Sequence, residues 1–144
     1  KVRVFLMRPL LPPDYRPTKK EAFMNFMQLE YFRQKLERWR EELLMESSET
    51  LQHLQEDSPQ KPDIADRASL ETDRALELRT RDRERKLITK INEALERVEN
   101  KSFGFCEETS EPISLSRLEA RPIATLNIEA QERHERMEKT HRDD

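Results

Sequence analysis

The chain has 144 residues, of which 40% are charged and 34% hydrophobic, with a net charge of -3, one glycine and one cysteine. A single cysteine excludes an intramolecular disulfide scaffold and is typical of a reducing compartment, so we expect a cytoplasmic protein. The slightly acidic balance argues against a protein that coats nucleic acid and favours a protein partner. Because no apolar stretch approaches the ~18 residues of a membrane span, we also expect no membrane contact.

The N-terminal segment, residues 1–24, is predicted to be an irregular arm, because four prolines fall among its first 17 residues. A helix is expected to begin close to the end of this arm. Thr18 with Glu21, and Asn25 with Gln28, each have the spacing of a capping box, in which side chains satisfy the unpaired backbone N–H groups of a helix start.

Two long helices are predicted between residues 25 and 100 by apolar side chains that recur every three or four positions. These side chains are Leu29, Phe32, Leu36, Trp39 and Leu43 in the first helix, and Ile88, Ile91, Leu95 and Val98 in the second. The polar stretch DSPQKPD between them contains two prolines and should end the first helix. Helices joined by a short turn run antiparallel, so we expect a hairpin over residues 25–100 with its tip at about residues 57–68.

Two aspartates, Asp63 and Asp66, fall at the predicted tip, where the second helix starts. The simplest interpretation is capping, with Asp63 as the N-cap and Asp66 in the first turn, where the helix dipole stabilises both carboxylates. The functional alternative is that the hairpin delivers their negative charge to a partner. One carboxylate oxygen can cap while the other faces outward, so the two interpretations are compatible.

The stretch RTRDRERK, residues 79–86, is by default a solvated helix face. In that interpretation Glu77 with Arg81, and Asp82 with Lys86, are ion pairs between residues four positions apart. Because its arginines alternate with acids, the stretch suits a protein surface of mixed charge better than a phosphate group.

Residues 101–130 have the layout of a small four-cysteine zinc finger, in which two CxxC motifs are separated by seventeen residues. The four ligand positions fall on Cys106, Thr109, Asn127 and Ala130. Structural zinc needs four nitrogen or sulfur donors, so we expect no metal here. Cys106 is then expected to be a small, partly buried apolar residue.

Packing is expected to hold this segment in place of a metal, through Phe103, Phe105, Ile113, Leu115, Leu118, Ile123, Leu126 and Ile128. Asn127 can cap a C-terminal helix within residues 127–144, with Glu129 in its first turn. The alternative that keeps a metal combines Cys106 and His134 with Glu107 or Glu108.

Together these stretches resemble the DksA/TraR family of bacterial transcription factors over about residues 25–137. The resemblance rests on DIADRA at the tip, LELRTRDRERKLITKI on the second helix, and VENKSFGFCEE and SRLEARPIATL in the finger. It implies a mostly α fold, with a long antiparallel coiled-coil hairpin, a small metal-free zinc-finger-like base and a C-terminal helix. The chain is similar to the cysteine-poor members, in which the finger fold persists without zinc.

The resemblance also implies a function. Members of the family bind RNA polymerase rather than promoter DNA, insert the coiled coil into the secondary channel and bring its tip close to the catalytic centre. The tip motif of the family falls here on Asp63, Asp66 and Ala68, and Arg83 matches an arginine that contacts the polymerase. We therefore expect a monomeric regulator, not an enzyme, that changes the stability of promoter complexes.

Family members act together with guanosine tetraphosphate (ppGpp), an effector that binds between the factor and the polymerase. Leu87, Lys90 and Arg121 match the family's residues at that place, whereas Gln131 stands where the family has a basic residue. A lost charge-assisted hydrogen bond costs about 1–3 kcal/mol, so we expect weaker synergy with ppGpp. Surface salt bridges are the simpler interpretation of Lys90 and Arg121.

Two other classes of function stay open. A coiled-coil interaction protein without a polymerase role would keep its seam apolar up to the tip, whereas here the seam turns polar at Ser47 and Thr50. A factor that promotes transcript cleavage would share a metal ion between its tip carboxylates and the polymerase. A cleavage assay on a backtracked complex separates this activity from regulation.

Overall fold

A computed structural model describes residues 8–56 and 64–143 of the chain. This part of the chain contains four helices, α1 (Phe26–Glu56), α2 (Ile64–Glu99), α3 (Leu115–Ala120) and α4 (Ile128–Asp143). An isolated antiparallel bridge pairs Phe105 with Pro112. The mostly α fold predicted from the sequence is therefore confirmed. None of the described helices combines the length and the apolar character that crossing a bilayer requires.

The chain divides into two compact units, which are described separately. The base unit falls within Lys1–Leu36 and Ala94–Asp144, and the shaft unit within Glu37–Glu93. Both long helices contribute to both units. The predicted hairpin tip at residues 57–68 belongs to the shaft, and its first seven residues lie outside the described residues.

The core of the base unit joins α1 and α2 to the finger segment. Its buried side chains include Leu29, Phe32, Leu36, Val98, Phe103, Cys106, Ile113, Leu115, Leu118, Ile123 and Ala130. The rings of Phe32 and Phe103 lie 5.4 Å apart at its centre. Each fully buried side chain of this size contributes ~1.5–3 kcal/mol, so apolar packing can hold the segment together.

Two of the predicted core residues differ from expectation. Ile128 is 56% exposed and Phe105 is 38% exposed. Ile128 is the first residue of α4, and that helix turns Ala130 rather than Ile128 towards the core. The ring of Phe105 packs at its edge against Phe23 of the arm, at 5.3 Å between centroids.

The arm packs against the base through specific contacts. The hydroxyl of Tyr15 donates to Glu21 at 2.8 Å, and the Tyr15 ring lies 6.1 Å from that of Tyr31. Glu21 also accepts from the backbone N of Thr18 at 3.0 Å, as a capping box would. Helix α1 nevertheless begins later, where Asn25 Oδ1 accepts from the backbone N of Gln28 at 2.8 Å.

In the shaft unit, α1 and α2 run antiparallel. Arg40 Nη1 donates to Asn92 Oδ1 at 2.8 Å, and the carboxyl groups of Glu46 and Glu84 share a hydrogen bond. As position numbers rise along α1, those of the partners on α2 fall, which is the signature of an antiparallel pair. Leu43 and Ile91 are buried in this seam. The hairpin predicted from the heptad spacing is thus consistent with the structure.

The seam between α1 and α2 changes from apolar to polar along the shaft. Glu84, one heptad before Ile91, is only 8% exposed, and its Oε2 has no hydrogen-bond partner among the described residues. Burial raises the pKa of the Glu84 carboxyl, and the charge and hydrogen bond of Glu46 raise it further. A carboxyl side chain therefore occupies a position where a dimerising coiled coil would carry an apolar one.

Candidate functional site

The finger begins with a sharp turn after α2. Asn100 Oδ1 accepts from the backbone N of Ser102 at 3.0 Å. Gly104 then adopts a φ of 90°, a conformation that side chains rarely tolerate, and a Cβ there would stand 3.0 Å from Met24 Cγ. Among the described residues with positive φ, the one glycine of the chain thus has the largest value.

A tight loop follows, between the bridged residues Phe105 and Pro112. The backbone N of Cys106 donates to Glu111 O at 2.8 Å, and the backbone N of Ser110 donates to Cys106 O at 2.9 Å. The backbone N of Glu107 donates to Thr125 O at 2.9 Å, which ties this loop to the segment that precedes α4.

The structure brings the four predicted ligand positions together. Asn127 Nδ2 donates to Thr109 Oγ1 at 3.2 Å, and Asn127 Oδ1 accepts from the backbone N of Ala130 at 2.9 Å. Asn127 is therefore the N-cap of α4, as predicted. Thr109 and the backbone of Asn127 form hydrogen bonds to the Cys106 thiol, while Ala130 is fully buried. We call these four residues the hydrogen-bonded cluster.

Thr109 links the members of this cluster. A hydroxyl offers one donor and two acceptor sites. The Thr109 hydroxyl accepts from Asn127 Nδ2 and from the backbone N of Glu111, at 3.3 Å, and it forms a hydrogen bond to Cys106. All three sites are thus used.

The cluster changes the acidity of its thiol. Burial by itself raises the pKa of Cys106, but hydrogen bonds from the Thr109 side chain and from the backbone of Asn127, Thr109 and Glu108 outweigh it. The net effect lowers the pKa from 9.0 to about 7. The same contacts that complete the cluster therefore stabilise the thiolate.

The donor set of the cluster does not fit a structural zinc ion. Such a site needs four thiolate or imidazole donors, and the cluster offers one thiol, a hydroxyl, an amide and a methyl group. His134 contacts Glu108 instead, and Arg133 Nη2 lies 3.5 Å from Glu108 Oε2. Within residues 8–56 and 64–143, no group of three or more His, Cys, Asp or Glu residues is placed to hold a metal.

The predicted tip residues are only partly described. Asp63 lies outside the described residues, and Asp66 lies in the first turn of α2 with its side chain outside them. Ala68, two residues further along α2, is exposed, and its carbonyl oxygen accepts from Thr72 Oγ1 at 2.9 Å. Their role at the tip stays a prediction.

The stretch at residues 79–86 contains the charge pairing expected of a helix face. Asp82 Oδ1 lies 2.7 Å from Arg85 Nη2, and Asp82 Oδ2 lies 3.3 Å from Lys86 Nζ. The second distance confirms the predicted Asp82–Lys86 pair. Hydrogen bonds from Arg85 and Lys86 lower the pKa of Asp82. Arg83 is exposed on the same helix. Its predicted contact with a polymerase stays a prediction.

The residues predicted to bind ppGpp fall in both units. Leu87 is half-buried and Lys90 is exposed, both on α2 in the shaft unit. Arg121 is exposed at the C-cap of α3 in the base unit, where its backbone N donates to Arg117 O at 2.7 Å. Gln131 Nε2 donates to Glu135 at 3.2 Å on α4. Binding of the nucleotide stays a prediction.

Comparison with known proteins assigns the chain to a family. Residues 28–98 match the family described as "DnaK suppressor protein DksA, N-terminal domain", and residues 101–136 match the "Prokaryotic dksA/traR C4-type zinc finger". The RNA polymerase-binding transcription factor DksA of Caulobacter vibrioides is 67% identical over 131 residues, which are 91% of this chain and 92% of that protein. The chain belongs to the DksA/TraR family.

Further members of the family are similar in sequence and in structure. The RNA polymerase-binding transcription factor DksA of Escherichia coli is 47% identical over 115 residues, 80% of this chain and 76% of that protein. The solved structure of transcription factor DksA2 from Pseudomonas aeruginosa aligns with a TM-score of 0.76 and 46% identity, over 82% of this chain and 91% of that one. The resemblance predicted from the motifs is confirmed.

Proposed function

We propose that this DksA/TraR family member binds RNA polymerase and regulates transcription. The observation that carries the proposal is the 67% identity to a protein named RNA polymerase-binding transcription factor, which extends over more than nine tenths of both chains. The similarity to the solved structure of transcription factor DksA2 also supports it, because the two folds align with a TM-score of 0.76.

The mechanism that we propose places the shaft in the secondary channel of the polymerase, with Asp63 and Asp66 close to the catalytic centre. Bound there, the factor destabilises promoter complexes without contacting promoter DNA. The polar seam of the shaft supports a monomer, because Glu84 lies at a position where self-association would need an apolar side chain. We place this monomer in the cytoplasm, where the polymerase is.

The experiment is run-off transcription from a ribosomal RNA promoter with bacterial polymerase, comparing the unaltered protein with Asp66→Asn. Asp73→Asn is the matched control, because Asp73 is an exposed aspartate on the same helix. We expect repression that is lost in Asp66→Asn, kept in Asp73→Asn and accompanied by unchanged polymerase binding in both. Equal repression by all three proteins would remove the tip from the mechanism.

We further propose that the chain is a regulator and not an enzyme. A backtracked transcription complex, incubated with the protein and magnesium, should release no cleaved transcript above the level of polymerase alone. Cleavage that depends on Asp66 would instead assign the tip to metal-assisted hydrolysis.

A further inference from the structure

An apolar groove of about 210 Å³ lies in the base unit, between the start of α1 and the end of α2. Its apolar lining is formed by Pro9, Phe26, Leu29 and Val98. Phe26, the first residue of α1, is 63% exposed. Sites for small molecules enclose about 300–1,000 Å³, so this smaller groove suits a single side chain of a protein partner. A side chain that covers the Phe26 ring removes apolar surface from water, which is favourable.

Three cations and two carboxylates line the same groove. Arg8 Nη2 lies 3.0 Å from Glu99 Oε1, and Arg33 Nε lies 2.6 Å from Glu30 Oε2. These two ion pairs cancel four of the five charges. The fifth is Lys101, which is exposed and pairs with no carboxylate in the described part of the chain. The groove therefore has a net positive charge, which favours a partner that carries a carboxylate.

The backbone of Lys101 fixes where this charge lies. Lys101 has a φ of 66°, a left-handed conformation that favours glycine because a Cβ crowds the carbonyl oxygen. The backbone N of Ser102 donates to Arg97 O at 2.9 Å, and the backbone N of Lys101 donates to Val98 O at 3.3 Å. These are the two hydrogen bonds of a Schellman motif, which commonly carries glycine at this position. The Lys101 ammonium lies over the Phe26 ring, 5.1 Å from its centroid.

We propose that this groove binds an apolar side chain of RNA polymerase that has a carboxylate beside it in the polymerase chain. The apolar side chain packs against the Phe26 ring, and the carboxylate pairs with Lys101. The base unit then contacts the polymerase by itself, in addition to any contact that the shaft makes. Apolar burial supplies affinity, whereas the opposite charges orient the partner. Because the partner is the polymerase, this inference rests on the function proposed above.

Photo-crosslinking identifies the occupant of the groove. Phe26 is replaced by the photoreactive p-benzoylphenylalanine in the whole chain, the complex with RNA polymerase is irradiated, and mass spectrometry locates the crosslink. We expect a crosslink to a polymerase segment in which Asp or Glu adjoins an apolar residue. A crosslink within the same chain or to a second copy would overturn the proposal. A formed complex without a crosslink, or a crosslinked segment without a carboxylate, would overturn it as well.

Lys101→Gly separates binding from a structural role. Glycine relieves the left-handed backbone, so this variant should melt no lower than the unaltered protein. It should nevertheless bind polymerase roughly tenfold more weakly, because the partner carboxylate loses its cation. Lys101→Arg should bind as the unaltered protein does. Lys20→Gly is the matched control, since Lys20 is an exposed lysine of the arm that does not line the groove, and we expect no change for it.

Fluorescence anisotropy of the labelled protein, titrated with polymerase, measures these affinities. Phe26→Ser should also bind roughly tenfold more weakly, because the apolar contact is lost. Unchanged binding by Lys101→Gly, or an equal loss in Lys20→Gly, would remove the groove and leave the proposed function intact. An unaltered protein that does not bind polymerase would contradict the proposed function together with this inference.

Discussion

Asn127 Nδ2 donates a hydrogen bond to Thr109 Oγ1 across the finger, at the place where a metal ion would join the two halves of a zinc site. Asn127→Ala removes this bond and also the N-cap of α4, so we expect it to lower the free energy of unfolding by about 1–2 kcal/mol. Thr109→Val should cost about 1 kcal/mol, because it leaves the Asn127 amide without its acceptor.

Denaturant unfolding with and without a chelator measures both effects. Glu107→Gln is the control, since the Glu107 side chain is exposed in the same loop. A chelator should leave the unfolding midpoint of the unaltered protein unchanged. A midpoint that falls on chelation would show that a metal is bound through other ligands.

Restoring the missing cysteines should restore zinc binding. The triple variant Thr109→Cys/Asn127→Cys/Ala130→Cys places four thiols at positions that the structure already brings together around Cys106. We expect one zinc ion per chain, measured by elemental analysis, and a melting temperature that now falls with chelator. A triple variant that folds and yet binds no zinc would show that the backbone of the cluster does not place four thiols around one metal ion.

The pKa of Cys106 predicts a specific pH dependence of stability. The folded-state pKa of the thiol is about 7, below its ordinary value of 9.0, so the native protein releases the proton first and is stabilised as the pH rises between these values. The shift corresponds to about 2–3 kcal/mol, present above pH 9 and lost as the pH falls through 7.

Comparing the protein with Cys106→Ala from pH 6 to 9.5 isolates this contribution. The stability difference should grow over that range in favour of the unaltered protein, and the thiolate absorbance near 240 nm should titrate with a midpoint near 7. Thr109→Val should move that midpoint upward. A difference that stays constant with pH would contradict the role assigned to the hydrogen bonds.

The Glu46–Glu84 pair predicts the opposite pH dependence of stability. Burial, with the charge and hydrogen bond of Glu46, raises the folded-state pKa of Glu84, so the native protein holds this proton more tightly than the unfolded chain. Stability is therefore greatest below the ordinary carboxyl pKa and falls as the pH rises through the folded-state value. Glu84→Gln should stabilise the protein at pH 7 by about 1 kcal/mol.

Thermal unfolding at pH 4 to 8 tests this prediction. Glu93→Gln serves as the control, because Glu93 is an exposed glutamate on the same helix. We expect Glu84→Gln to reduce the fall in stability that follows as the pH rises above the ordinary carboxyl pKa, whereas the control follows the unaltered protein. A Glu84→Gln protein that is less stable at pH 7 would mean that the carboxylate makes a favourable contact.

Gln131 allows a test of the proposed response to ppGpp. If Leu87, Lys90 and Arg121 bind the nucleotide on the polymerase, Gln131→Lys supplies a further cation, and half-maximal repression should need about tenfold less ppGpp. Gln131→Glu should have the reverse effect, and both variants should repress equally without the nucleotide. An identical response of the two variants would remove this position from the site.

Much of the fold follows from side-chain periodicity. The heptad positions Leu36, Leu43 and Ile91 are buried as their spacing predicts, because amphipathic helices of this length hide only one face. Asn127 was predictable as a cap for a similar local reason. Continuing the heptad from Ile91 backwards would also have identified Glu84 as a seam residue.

The contacts of the arm were not predictable in this way. Tyr15 donates a hydrogen bond to Glu21 and packs on Tyr31. No periodic pattern of side chains predicts such contacts of an irregular segment. Within the cluster, the spacing identified the four positions, but the hydrogen bonds of Thr109 depend on how the loop and α4 pack together. Local patterns predict elements, whereas contacts between distant segments require the assembled structure.

The base unit is assembled from the two ends of the chain, which has a consequence for its synthesis. Arg8 and Glu99 are 91 positions apart. Phe32 can pack only after Phe103 has been synthesised. At translation rates of about 5–20 residues per second, Phe32 is synthesised roughly 4–14 s before its partner Phe103. During this time Phe32, and Phe23 for the same reason, expose apolar surface of the kind that chaperones cover.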